Sequence, residues 1–329
     1  MKRWWLILLG LVFLTFISLW ISGHRLKDVL KDSYTGDVNP SLTITEEPLV
    51  SLTPYSAACC VLLTQSPLAT YTPVPSQPAT ATPVDIATAT PLGCWSQAGR
   101  IEISQLHTGL LPLPLEFHLY LPPCYDQQPD RRYPVLYLIH GSSFNDDQWD
   151  RLGVDETSDA LIAAGVISPF IIVMPRDREW TQPNVDNFGE AVLQSLIPWI
   201  DGNYRTVPSR SQRAIGGLSR GGAWAVHLGL SHWDYFGAIG AHSLAVFDTD
   251  APYYINQWLN ALPREALPRI YLDIGDHDRV IIFKSAVWFE TRLTETGIPH
   301  EWHLNVGNHD EVYWKSHVED YIRWYTQDW

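Results

Sequence analysis

Positive charge is scarce in this sequence: 22 Lys and Arg stand against 36 Asp and Glu, a formal net charge of −14. Phosphate binding needs clustered cations, so the deficit argues against nucleic acid as a partner. From Ser33 to Leu92 there is no Lys or Arg at all. Metal-ligand spacing is also missing. The best candidate, Asp276-His277-Asp278, offers two carboxylates and one imidazole with no further ligand in reach of the pattern. Neither a metal nor a cofactor is therefore expected. What is plentiful is apolar: 46% of 329 residues, with 15 Trp. That is enough for one large catalytic domain with extras, most of the Trp serving as core and helix-packing residues.

Three regions follow one another. In the first, residues 1–32, Met1-Lys2-Arg3 precedes an uncharged run from Trp4 to about Ser22. As a helix it spans roughly 28 Å, close to a bilayer core, and Trp4, Trp5 and Trp20 stand near its ends, where indole rings favour the interface. An uncleaved membrane anchor is expected. A cleaved signal is the rival, but the run is long for one and no small-x-small site follows around Ile21-Ser22-Gly23. Lys2 and Arg3 face Arg25, Lys27 and Lys31 across the span, so charge bias does not set orientation. The second region, 33–93, recurs in Pro and Thr, as in Tyr71-Thr72-Pro73-Val74-Pro75, without a helical or strand period. It reads as a disordered stalk with a reach of roughly 45 Å. Cys59-Cys60 lies within it, in no lipobox-like setting.

The third region, 94–329, alternates short β-rich runs with helical stretches. Residues 101–105 and 115–121 read as a hairpin; 135–139, 170–174 and 213–218 as buried strands; 236–241, 270–274 and 301–306 complete the set. Helical patterns cover 190–203, 221–229, 282–296 and 311–326. The alternation predicts an α/β fold, a mostly parallel sheet with helices on both faces. If the hairpin turns near Leu110, the register brings Cys94 beside Cys124. A bridge there closes a loop worth roughly 3–4 kcal/mol in the chain-entropy model and requires an oxidising compartment. A Cys94–Cys124 disulfide and an extracytoplasmic domain, membrane-anchored or secreted if a signal is cleaved, are the expectation.

Chemistry enters at Gly217-Leu218-Ser219-Arg220-Gly221, the sole G-x-S-x-G in the chain, with an apolar strand before it and a Gly-Gly-Ala helix start after it. In that context a tight strand-to-helix turn projects the hydroxyl of Ser219 outward as a nucleophile. A serine needs a base and a group that orients the base, in this fold in the order serine, acid, histidine. The strand ending Asp273-Ile274-Gly275 runs into Asp276, His277 and Asp278. Asp278 is favoured as the acid, with Asp276 the runner-up and expected to be a loop cap or surface charge. Of His300, His303, His309 and His317, only His309 stands in a loop just past the last strand, where the base must be. The oxyanion hole needs backbone N–H groups, expected from Arg220 and from Ser142, with Ser143 second. The Arg220 side chain either grips an anionic substrate or makes a salt bridge within the fold. Phe144 to Trp149, Trp180 to Asn187, Ser243 and Trp314 are candidate pocket residues.

These segments resemble one family of α/β-hydrolases, which includes esterase D, feruloyl esterases, enterochelin esterases and the mycolyltransferases. The likeness is carried by Tyr133 to Gly141, Gly217 to Gly222, Gly275-x-x-Asp278, Asn308-His309-Asp310 with Trp314 after it, and the Leu-Ile-Pro-Trp core within 190–204. It covers about 99–329. It implies Ser219, Asp278 and His309 as a catalytic triad and His140-Gly141-Ser142 as the oxyanion loop, with hydrolysis of carboxylic esters, small or glycan-linked, as the activity. The alternatives are acyl transfer to a cell-envelope sugar and a non-catalytic surface binding module.

Overall fold

Val135–Ile139, Ile171–Pro175 and Arg213–Leu218 are runs in which every residue is buried, the signature of central strands covered on both faces. The computed structural model describes residues 93–329. The expected anchor, nearly all of the stalk, and Cys59 and Cys60 lie outside the described residues. Among the described residues no helix is long and apolar enough to cross a membrane.

The strands are β1 (Arg100–Leu106), β2 (Leu115–Leu121), β3 (Val135–Ile139), β4 (Ile171–Pro175), β5 (Arg213–Leu218), β6 (Ala238–His242), β7 (Arg269–Gly275) and β8 (Glu301–Asn305). They form one sheet in the order β1-β2-β4-β3-β5-β6-β7-β8. The first two pairings are antiparallel and the rest parallel. The helices are α1 (Gln148–Arg151), α2 (Val154–Ala163), α3 (Phe188–Ala191), α4 (Ile197–Asn203), α5 (Arg220–Ser231), α6 (Tyr253–Ala261), α7 (Val280–Thr296) and α8 (Glu311–Thr326). One core layer joins the sheet to α3 through α7, the other to α1, α2 and α8. The α/β architecture with a mostly parallel sheet, expected from the alternation, is the one observed.

The hairpin register runs from Arg100↔Leu121 to Leu106↔Leu115, within a residue of that expected, and Cys94 is disulfide-bonded to Cys124 with Cα atoms 5.1 Å apart. Three differences from the sequence reading have physical causes. β6 starts at Ala238 rather than at Phe236, whose ring instead packs edge-on against Tyr137. The helix expected over 190–203 is interrupted by a π turn, Val192–Leu196; Pro198 sits in the following turn and has no N–H to donate to the turn before it. Trp149, expected at the pocket, is a core residue: it is 1% exposed, its Nε1 donates to the Ile139 carbonyl at 3.1 Å, and its ring meets His242 and Tyr321 edge-on.

Parallel strands bring their C-terminal ends to one edge of the sheet. The turns after β3, β4, β5, β7 and β8 therefore converge there, the usual location of a site in an open α/β sheet.

Candidate active site

Ser219 follows β5 directly and caps α5, with φ +53° and ψ −112°. A serine gains nothing by itself from this left-handed strain, which persists only where its surroundings enforce it. Glycines make the enforcement possible. A Cβ on Gly217 would lie 2.2 Å from the Gly221 carbonyl carbon, and one on Gly221 would lie 2.1 Å from the Ile139 oxygen. The Ser219 N–H donates to the His242 carbonyl at 2.7 Å, tying the turn to the end of β6.

His309 Nε2 lies 3.0 Å from Ser219 Oγ. Its Nδ1 lies 2.9 Å from Asp278 Oδ1 and 3.1 Å from Oδ2. With the ring proton on Nδ1, donated to the carboxylate, Nε2 is left to accept from the serine hydroxyl. Asp278 is itself fixed by the Arg279 N–H at 2.6 Å. The loops that carry Asp278 and His309 lie close together: a Cβ on Gly275 would come within 2.3 Å of the Gly307 oxygen.

Asp276 faces the other way. It accepts the Gly307 N–H at 3.0 Å and pairs with exposed His277, and these two contacts, the backbone bond first, hold its carboxyl below the ordinary range. Its role is to cap the loop. The remaining downstream histidines are engaged elsewhere: His300 with the Ile298 carbonyl, His303 stacked on Tyr271, and His317 beside Asp320.

The turn after β3 is built around buried His140. Its Nδ1 bonds the Gly141 carbonyl and its Nε2 accepts the Asp177 N–H at 2.9 Å. Burial lowers its pKa, consistent with a neutral ring. Gly141 donates to Gln148 Oε1 at 2.8 Å, and Phe144 N–H turns back to the Gly141 carbonyl. The backbone N–H groups of exposed Ser142 and Ser143 take no part in these bonds. The Arg220 N–H stands at the start of α5, directly after Ser219.

The Arg220 side chain points into the fold. Nε donates to Asp177 at 2.6 Å, and Nη2 donates to the Thr181 carbonyl at 2.6 Å and to Asp186 at 3.4 Å, all largely buried. Of the two roles open to it, this is the salt bridge within the fold. Burial is the main cause of the raised pKa of Asp186. Asp177 was not expected from the sequence, and Asp186, within the segment expected at the pocket, was not expected as a partner of Arg220. For Asp177 the available signal was a run of charge directly after a buried strand, Arg176-Asp177-Arg178.

The pocket candidates divide. Phe144, Trp180 and Asn187 lie on loops at this edge of the sheet. Trp180 is 51% exposed with φ +48° and donates its indole N–H to the Asp177 carbonyl; Asn187 donates to the Leu110 carbonyl. Ser243 and Trp314, expected to line the pocket, are buried instead. Trp314 donates to Ser243 Oγ at 3.1 Å and sets its ring edge-on to His309, with centroids 5.0 Å apart. Trp314 backs the imidazole, and Ser243 anchors the indole.

A protein-family model described as "Putative esterase" matches residues 111–325. The chain belongs to this esterase family. An esterase of Mycobacterium tuberculosis is 27% identical, over 54% of this chain and 49% of its own length. An endo-1,4-beta-xylanase/feruloyl esterase of Xylanibacter ruminicola is 35% identical, over 37% of this chain and 18% of its own. The chain thus spans about half the length, or less, of these curated relatives. Among solved structures, a ferulic acid esterase superposes with a TM-score of 0.63 at 24% identity, covering 70% of this chain and 99% of that one. One from Anaeromyces mucronatus gives 0.58 at 19%, covering 69% and 90%. At such identities the likeness is one of fold.

Behind the Ser219 turn this esterase-family chain holds a second acid–imidazole pair, wholly buried. His242 Nδ1 donates to Asp273 Oδ1 at 2.6 Å, while Tyr313 and Tyr321 donate to Oδ2 at 2.6 and 2.7 Å. Burial pushes the Asp273 carboxyl upward, but the His242 ring and these hydrogen bonds outweigh it and hold the pKa below the ordinary value. The Tyr325 hydroxyl, 3.0 Å from His242 Nε2, occupies the space left by Gly216 and Gly240, paired neighbours on β5 and β6.

Proposed function

We propose that the chain is a metal-independent carboxylic ester hydrolase that works through an acyl-enzyme on Ser219. One observation carries the reading: a strained serine after a buried strand meets an imidazole at 3.0 Å, whose far nitrogen meets a carboxylate at 2.9 Å. In this mechanism His309 takes the hydroxyl proton as Oγ attacks the ester carbonyl, and Asp278 holds the ring and stabilises the imidazolium. The N–H groups of Arg220 and Ser142 receive the developing oxyanion. The imidazolium then gives its proton to the leaving alkoxide. Water, deprotonated by the same ring, releases the acid and restores Ser219. The hydrolases among the relatives support hydrolysis over acyl transfer, and those named as feruloyl esterases make aromatic acyl esters the first substrates to try.

The Cys94–Cys124 bond and the cation-free Pro/Thr stretch before it support an extracytoplasmic domain, tethered by residues 1–32. A fluorophosphonate probe tests the chemistry: wild type should label and Ser219→Ala should not. Equal labelling of both would end the assignment. A screen of acetyl, feruloyl and longer acyl esters then names the substrate.

A further inference from the structure

Burying a carboxylate is costly, and an apolar replacement of similar volume is often as stable. Yet Asp273 is fully buried at the end of β7, where three segments meet. The first is the nucleophile turn. His242, which donates to Asp273 through Nδ1, also accepts the Ser219 N–H on its carbonyl at 2.7 Å. The second is the start of α8. Tyr313 donates to Asp273, and the next residue, Trp314, packs edge-on against His309. The third is the segment that holds Asp273 in β7 and continues past Gly275 to Asp278; the Asp273 carbonyl also takes the N–H of Ser243, the residue that receives the Trp314 indole. The Asp273 carboxylate is therefore linked to Ser219 through His242, to His309 through Tyr313 and Trp314, and to Asp278 through five residues of chain.

We propose that Asp273 is the hub of a buried positioning device that fixes the separation of Ser219 from His309, with His242, Tyr313 and Tyr321 as its arms. Asp273 touches no substrate and moves no proton. It holds the reacting groups in register, where a misplacement of about 1 Å can cost about a hundredfold in rate. The inference rests on the Ser219 reading above.

The fold supplies its own control. Toward the opposite edge of the sheet, buried Tyr120 donates to half-buried Asp159 at 2.7 Å, a tyrosine–carboxylate bond remote from the site. In the full chain, kcat, KM and the rate of fluorophosphonate labelling are measured beside thermal denaturation for Asp273→Asn, Tyr313→Phe, His242→Ala, His242→Asn and Tyr120→Phe. Asp273→Asn and Tyr313→Phe should lower kcat and the labelling rate roughly ten- to a hundredfold with KM unchanged. His242→Asn, which keeps a donor near the Nδ1 position, should recover most of what His242→Ala loses. Tyr120→Phe should lose stability and keep kcat. If Asp273→Asn does not fold, Tyr313→Phe and the His242 pair decide alone. Folded variants with wild-type kcat, or losses matched by Tyr120→Phe, overturn the inference while leaving Ser219 standing. Wild type that fails to label overturns the reading beneath it instead.

Discussion

Replacing Arg220 by Met keeps the backbone N–H and most of the aliphatic stem, and removes only the cation and its donors. In the folded protein that cation sits between Asp177 and Asp186, whose side chains are 1% and 0% exposed, and lies 5.0 Å from the centre of the Phe247 ring. Its loss leaves two buried carboxylates without a counter-charge, and removing one partner of a buried pair costs about 3–5 kcal/mol. For a domain of this size that lowers Tm by roughly 6–20 °C. The loss should depend on pH. Asp186 already has a raised pKa in the native state, chiefly through burial, and without Arg220 it should rise further. A carboxyl whose native pKa exceeds its unfolded value of about 4 binds protons more readily when folded, so stability falls as pH climbs through that window. Arg220→Met should thus be most damaging at neutral pH and above, and partly relieved toward pH ~5 as the orphaned Asp186 carboxyl takes up a proton. Urea denaturation at several pH values measures both effects. A loss below about 1 kcal/mol, the scale of an exposed ion pair, or one that does not change with pH, would refute the argument that this arginine neutralises a buried acidic pair.

Four further outcomes follow from single contacts. Replacing Cys94 and Cys124 by Ser opens a loop of sequence separation 30 and should cost roughly 3–4 kcal/mol in denaturant titration. Gly221→Ala puts a Cβ 2.1 Å from the Ile139 oxygen; the turn must open, and probe labelling of Ser219 should vanish. Asp310 caps α8 by accepting the Tyr313 N–H at 3.0 Å, so Asp310→Ala should cost about 1 kcal/mol by thermal denaturation, with Asp310→Ser restoring most of it. Trp149→Ala should cost about 3–5 kcal/mol as a core cavity without changing KM in steady-state assays; a raised KM would return Trp149 to the pocket.

The buried strands were legible in the sequence because their apolar runs are short, uninterrupted and bounded by polar turns. Ser219 and Asp278 stand out because each lies one to four residues past such a run, and His309 because it follows the last strand, the half-exposed β8, by four. Side chains whose partners are distant in sequence could not be read in this way. Trp149 lies in the four-residue α1, and nothing local says that its ring turns inward to donate to Ile139. Asp273 was passed over because a carboxylate inside a strand has no evident chemistry until the histidine and two tyrosines that satisfy it are in view. They come from β6 and α8, 31 to 48 residues away in sequence. The same holds for Arg220: its motif position is obvious, while the direction of its side chain depends on Asp177 and Asp186, 43 and 34 residues earlier. Ser243 and Trp314 illustrate a subtler limit. Proximity to the site was readable, but whether a residue faces the substrate or supports the base depends on which side of the imidazole it occupies.

Topology also fixes where the chain enters the domain. β1 pairs antiparallel with β2, and β2 with β4, so Arg100 at the start of β1 lies at the N-terminal edge of the parallel strands. Ser219, Asp278 and His309 all follow C-terminal strand ends, at the other edge. The Cys94–Cys124 bond clamps the entering chain beside the end of β2, on the entry side. A chain beginning at Gly93 should therefore keep the kcat of the full protein on a soluble ester, and reducing the disulfide should lower its stability more than its kcat in folded protein. If the shortened chain folded but lost its turnover, residues 1–92 would have to contribute to the site directly, and a purely tethering role for them would be untenable.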